Sequence, residues 1–192
     1  MNVSDYFDDL DAHEGCVPWM YCDSRGFVTV GIGNLISSPA LAASLPFRHK
    51  DGLAPLPGER ETAWARVNDA YKPNQGAAAY RECTDLRLSQ DFMRDLVASR
   101  LASEFIPGIE RLCPGFDSMP LPARRALVDM AYNLGVHGLA MFPHFLAACN
   151  SWDWEMAAHQ CHRSTCRDTR NAWTAQMFVD AAVITPDPVR VT

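Results

Sequence analysis

Glu14, Asp23 and Thr29 are the residues of this chain whose types and spacing add up to chemistry. They stand in HEGCVPWMYCDSRGFVTVGIGNL, residues 13–35, among two cysteines, a tryptophan and four glycines. Two carboxylates carried by different elements can face each other across a cleft, which is the arrangement glycoside hydrolysis requires. One carboxyl group must hold a proton for the leaving oxygen, while the other must be charged to stabilise an oxocarbenium-like state or to activate water. Their surroundings must therefore differ, apolar and aromatic for the acid, polar for its partner. A threonine hydroxyl both donates and accepts, which suits it to holding a water between a carboxylate and an anomeric carbon. Each residue also has a purely structural reading: Glu14 as a surface helix residue, Asp23 as a turn former, Thr29 as a β-branched strand residue.

The elements that must position them are legible. Ser4 can cap a first helix with acidic residues in its opening turn, and Gly15 can terminate it in the left-handed conformation, so Glu14 sits at the helix end. Trp19, Tyr21, Phe27, Val28 and Val30 flank the turn Asp23-Ser24-Arg25-Gly26, which predicts a hairpin or small antiparallel sheet over 17–36. Ser38-Pro39 predicts a short helix to about Leu45, 46–58 reads as loop, and a helix is expected from Glu59 to Lys72 before Pro73. Ser89 opens a long amphipathic pattern that Pro107 should kink or break. Further helices are expected over Leu121–Leu134 closed by Gly135, around Phe142–Cys149, from Trp152 to about Ser164, and over Thr169–Ile184 before Pro186.

Composition narrows the class. The chain has 192 residues, 48% of them hydrophobic, enough for a real core. A formal charge of −6 and the absence of any Lys/Arg cluster argue against nucleic acid as a partner. No apolar run is long enough to insert in a membrane, and the acidic start is unlike a basic leader. Seven cysteines at irregular spacing fit a reducing compartment better than a disulfide framework.

Glu14-Gly15, Tyr21, Asp23, Gly26, Thr29 and Gly31-Ile32-Gly33 resemble the lysozymes of T-even bacteriophages, glycoside hydrolase family 24. The motif of that family runs Glu-Gly at a helix end, Tyr-x-Asp at a hairpin turn, then Gly-x-x-Thr-x-Gly-x-Gly. A second block, RRALVDMAYNLG at 124–135 with Gly138, Phe142, Leu146, Trp154 and Ala157-Ala158, resembles the helical lobe of the same family. Thr169-Arg170 resembles the turn that opens its last large helix. The resemblance covers about two thirds of the chain and is weakest over 46–88, which is longer here.

That resemblance implies an α+β, predominantly α, lysozyme-like fold with a small antiparallel β-hairpin lobe and a helical C-terminal lobe. It forms one domain over 1–192, with an N-terminal lobe of about 14–88 and a helical lobe of 1–13 and 89–192. It implies cleavage of the β-1,4 bond between N-acetylmuramic acid and N-acetylglucosamine, by inversion and without cofactor or metal. Glu14 would be the general acid, Asp23 the acidic partner and Thr29 the water-placing hydroxyl, with the two carboxyl groups roughly 6.5–9.5 Å apart. Leu35 and Tyr132 would contact sugar, as would Phe145 and Gln160, although Phe145 departs from the polarity of the family. Arg170 would lie near Glu14 and orient it. Asn34 replaces a histidine frequent in the family, so one supporting ion pair cannot form.

Among other candidates, Trp19 is the tryptophan best placed to stack on a sugar. His159, His162 and Cys166 would share one face of a helix if it persisted that far, but a fourth metal ligand at recognisable spacing is missing. Cys22 has no local histidine to activate it as a nucleophile. The expected partners are peptidoglycan glycan strands and, for a secreted antibacterial effector, an immunity protein that occludes the cleft; the chain is expected to act as a monomer. It would be made in the cytoplasm without a leader and act on the wall of a target bacterium, delivered by a secretion machine or released as a phage endolysin. A lytic transglycosylase and a non-catalytic glycan-binding module are the rival readings.

Overall fold

The structure, a computed structural model, describes residues 4–185. The side chain of Ser4 and the stop expected at Pro186 lie outside the described residues. The chain is α+β and predominantly helical, and it divides into two compact units, Leu10–Ala98 and Met1–Asp9 with Ser99–Thr192.

The unit Leu10–Ala98 receives the end of helix α1 (Ser4–Glu14) and then a three-stranded antiparallel sheet, β1 (Val17–Cys22), β2 (Val28–Gly31) and β3 (Asn34–Leu35), in that order. Gly15 stops α1 at φ 77° while its N–H returns to the Asp11 carbonyl at 2.9 Å. Alternation sets the two sheet faces: Met20, Cys22, Val28 and Val30 are buried in a core with Phe47, Val67, Tyr80 and Met93. Tyr21, Thr29 and Leu35 are in register, Tyr21 opposite Thr29 and Thr29 opposite Leu35, so they form a row on the other face. The sheet is supported by α2 (Pro39–Ser44), capped by the Ser38 hydroxyl, and by α3 (Glu59–Asp69).

Three details depart from expectation. The segment 46–58 is not all loop: β4 (Arg48–His49) pairs antiparallel with β5 (Leu86–Arg87), tied by His49 to Glu59 at 3.2 Å and Lys50 to Asp85 at 3.0 Å. Two-residue strands whose partner is this distant in sequence leave no local periodicity. Helix α3 ends at Asp69 rather than Lys72, because Tyr71 turns away to pack on Gly26 and donate to the Ser24 carbonyl at 3.3 Å. Pro107 interrupts the α geometry without ending helical structure. It follows α4 (Gln90–Arg100) and one π turn (Leu101–Phe105), and its missing N–H falls in the first turn of α5 (Ile106–Leu112), where no partner is needed.

The second unit is helical: α5, then α6 (Leu121–Ala140), α7 (Pro143–Asn150), α8 (Trp154–Gln160) and α9 (Asp168–Ile184). Gly135 interrupts α6 at φ 74° and ψ 159°, the break its residue type predicts, although a further helical turn follows. Phe145 meets Phe178 edge to face at 5.4 Å and Trp154 stacks on Phe178 at 6.3 Å, joining α7, α8 and α9. Amid this apolar packing lies one charged cluster. Asp129 accepts from Arg170 Nε and Nη2 at 3.0 and 2.7 Å and from Arg163 Nη1 at 3.0 Å, while Arg163 Nη2 donates to Thr174 at 2.7 Å. Asn171 closes it, exchanging hydrogen bonds with the Arg163 backbone.

Candidate active site

The Asp23 turn is built by its own carboxylate. Oδ1 accepts the backbone N–H groups of Arg25 and Phe27, both at 2.9 Å, and the Gly26 N–H closes the turn onto the Asp23 carbonyl at 3.0 Å. Gly26 takes φ 86°, and Tyr71 packs close to its α-carbon, so both the backbone and the space there favour glycine. One carboxylate oxygen is thereby fixed, and Oδ2 accepts no hydrogen bond from the described residues.

Thr29 is 4% exposed, and its hydroxyl donates to the Phe27 carbonyl at 2.8 Å. With its single proton so committed, Oγ1 can only accept from a third group. Beside it stands Tyr21, the tyrosine of the Tyr-x-Asp motif, to which the sequence alone assigns no role at the site. Burial pushes the Tyr21 phenol up, the Gly33 N–H aimed at its hydroxyl works in the opposite sense, and the negative charges of Asp23 and Glu14 push it further up. Both acidic residues therefore act on one tyrosine beside Thr29. The clue in the sequence was its position two residues before Asp23, on the same strand face. Glu14 is exposed at the last position of α1 and so does not have the enclosed apolar surroundings expected of the acid, and Leu35 ends the row, 54% exposed, an apolar side chain offered to solvent.

The other predicted residues have the following partners. Trp19 donates from Nε1 to the Ala77 carbonyl at 2.9 Å, and the guanidinium groups of Arg81 and Arg87 lie over its ring at 5.6 and 5.2 Å. Its aromatic surface is engaged within its own unit and not presented for sugar stacking. Phe145 is 1% exposed and packs on Phe178, so it is a core residue and not a sugar contact; an apolar ring at that position is explained by burial. Arg170 is buried against Asp129, which makes it part of the ionic cluster. Tyr132 stacks on Phe105 at 4.9 Å and takes a hydrogen bond from Arg100 at 3.1 Å. Gln160 is exposed at the end of α8, its amide 3.8 Å from Met156 sulfur.

The shared helical face for His159, His162 and Cys166 does not form, because α8 stops at Gln160. All seven cysteines are free thiols. Cys16 donates to Met93 sulfur at 3.5 Å and Cys22 to the Val67 carbonyl at 3.3 Å, so both are packing residues. Asn34, where the ion pair was expected to be lost, is buried with its Nδ2 unsatisfied among the described residues.

With this geometry in view, comparison with known proteins corrects one expectation. No protein-family model matches the chain. It is similar to the pre-baseplate central spike protein Gp5 of Enterobacteria phage T4, 27% identical over 148 residues. That match covers 77% of this chain and 22% of the spike protein, so the chain spans about a fifth of the relative's length. These findings overturn the placement among the T-even phage lysozymes of glycoside hydrolase family 24, while the α+β, predominantly helical fold with its small antiparallel sheets stands. A physical reason lies in the motif itself. Gly15, Gly26, Gly31 and Gly33 all have positive φ, so the tight path from helix to hairpin demands glycine there whatever the ancestry.

Proposed function

We propose that the chain is a glycoside hydrolase acting on the glycan strands of peptidoglycan, cleaving the β-1,4 bond after N-acetylmuramic acid. The observation that carries this reading is the joint arrangement of Asp23 and Thr29: one carboxylate oxygen locked by two turn amides, the other without a hydrogen bond among the described residues, and a threonine oxygen able only to accept. A water placed by these two groups donates both its protons, one to Asp23 Oδ2 and one to Thr29 Oγ1. Its lone pair is then directed at the anomeric carbon. As the water oxygen bonds to that carbon, the bond to the leaving oxygen breaks, Glu14 gives its proton to that oxygen, and Asp23 takes the proton from water. The sugar is inverted. Leu35, at the end of the row, supplies apolar contact to a sugar face, and Tyr21 lines the approach.

Similarity to a phage central spike protein supports a setting in which the enzyme is carried to the wall of a target cell by a delivery apparatus, ahead of release as an endolysin. An enzyme so used calls for a protective partner in the producer, an immunity protein covering the row of Tyr21, Thr29 and Leu35.

The test is digestion of purified peptidoglycan by wild type and Glu14→Gln, with mass spectrometry of the fragments. Wild type should release fragments with reducing muramic ends. Glu14→Gln should lose about a hundredfold or more in rate while remaining folded. Full activity in that variant, or anhydro ends in the wild-type products, would overturn the reading.

A further inference from the structure

Within the unit Leu10–Ala98, a cavity of about 510 Å³ opens between the β4–β5 ribbon and the start of α4. Its floor is apolar, with Leu88 and Phe92. Arg48 and Arg87 come from the ribbon, and Asp91 and Asp95 from one face of α4. This is the part of 46–88, with its neighbouring helix, that the hydrolytic site does not use.

The two carboxylates and Arg48 are the least committed charges in it, while Arg87 is partly engaged and His49, also in the lining, is paired with Glu59 and Asp85. Asp91 and Asp95 are one helical turn apart, a like-charge pair that costs a helix a few tenths of a kcal/mol. Neither has a hydrogen-bond or ion-pair partner for its side chain among the described residues. Arg48 makes one long contact, Nη1 to the Gly52 carbonyl at 3.4 Å. Arg87 donates three hydrogen bonds, all to carbonyls: Thr84 at 2.7 Å, Leu86 at 2.8 Å and Arg81 at 2.9 Å. A guanidinium carries five N–H donors, so two remain. A cavity with an apolar floor, two guanidinium groups and two unpaired carboxylates is complementary to a short peptide that bears both carboxylates and an ammonium group.

We propose that this cavity binds the peptide stem of peptidoglycan, with the stem carboxylates on Arg48 and Arg87 and the side-chain ammonium of its diamino acid on Asp91 and Asp95. The proposal rests on the hydrolase reading for the identity of the peptide. Its position fits. Arg87 lies over Trp19 on β1, and Leu88 N–H bonds the Pro18 carbonyl at 2.9 Å, so the cavity wall is joined to the strand that leads into the Asp23 turn. From Trp19 to Asp23 is four residues, about 13 Å of extended chain, and a stem of three to four residues covers a similar length. A stem attached to a muramic acid near Asp23 can therefore reach the cavity.

The experiment titrates the full chain with the soluble tripeptide of L-alanine, γ-linked D-glutamate and diaminopimelate, followed by NMR shifts and calorimetry. Wild type and Glu14→Gln should bind alike, since no sugar is present. Asp91→Asn/Asp95→Asn and Arg48→Ala should each weaken binding about tenfold or more, and acetylating the free side-chain amine of the peptide should weaken it as much as the double asparagine variant does. No binding up to about 10 mM peptide, or affinity indifferent to all three changes, would overturn the proposal. A second readout separates it from the hydrolase reading. On intact peptidoglycan the double variant should raise KM with kcat unchanged, and on glycan strands stripped of stems it should match wild type. Equal KM on both substrates counts against the stem site, while activity in Glu14→Gln counts against the hydrolase.

Discussion

Replacing Asp129 by asparagine tests how the helical unit is held together. The carboxylate is 1% exposed and serves two guanidinium groups whose side chains are themselves 0% and 9% exposed, Arg163 and Arg170. Asparagine keeps the shape and one acceptor oxygen but removes the charge, leaving two buried cations facing an amide. Breaking a buried pair in this way costs about 3–5 kcal/mol, because Arg163 stays desolvated without its counter-charge. Arg163 has no easy relief, since its Nε already lacks a partner among the described residues. For a chain of this size that corresponds to a fall in Tm of roughly 6–20 °C. Urea denaturation followed by tryptophan fluorescence reads it directly, because Trp154 and Trp173 lie on α8 and α9. A companion variant, Asp129→Leu/Arg163→Met/Arg170→Met, removes the whole cluster and should recover most of the loss, since packed apolar side chains replace buried ion pairs at little cost. A loss under about 1 kcal/mol in Asp129→Asn would refute the reasoning, as would a triple variant less stable than the single one.

Thr29→Val keeps the β-branched shape and removes Oγ1: hydrolysis should fall at least about tenfold and stability by about 1 kcal/mol from the lost bond to Phe27, while Thr29→Ser keeps both, as turnover and thermal melts of the two variants would reveal. Burial pushes the Cys113 thiol up to about 11 from its ordinary value of 9.0. The folded state thus keeps a proton that the unfolded chain releases, and the stabilisation, complete below the unfolded value, is lost as pH rises toward the folded one. Between pH 8 and pH 10 wild type should lose about 1.4 kcal/mol more than Cys113→Ala in urea titrations; parallel curves would show that the thiol is not the cause. Gly135→Ala meets no neighbouring atom but must hold φ 74° and ψ 159°, so unfolding should register a pure backbone cost of about 1–3 kcal/mol.

Much of the local structure was written in residue types. The end of α1 at Gly15, the Asp23 turn, the Ser38 cap and the break at Gly135 depend on backbone preferences of single residues, which act over a few positions and need no partner. The candidate carboxylates were legible for the same reason, since a helix end and a turn are local features. Tertiary structure decided what lies far apart in sequence. The pairing of Arg48–His49 with Leu86–Arg87 and the end of α3 at Asp69, before Tyr71, were set by contacts that no window of neighbouring residues contains.

The same division runs through the site. Sequence determined that Glu14, Asp23 and Thr29 stand on a helix end, a turn and a strand, because pattern and spacing fix the element. Only the fold decided that the Thr29 hydroxyl gives its proton to Phe27, that Asp23 keeps one oxygen unbonded, and that Tyr21 stands in their row, because strand register sets those neighbours. It also withdrew Trp19 and Phe145 from the substrate side and bound Arg170 to Asp129. A side chain's type states what it can bind, whereas burial and the groups packed around it determine what it does bind.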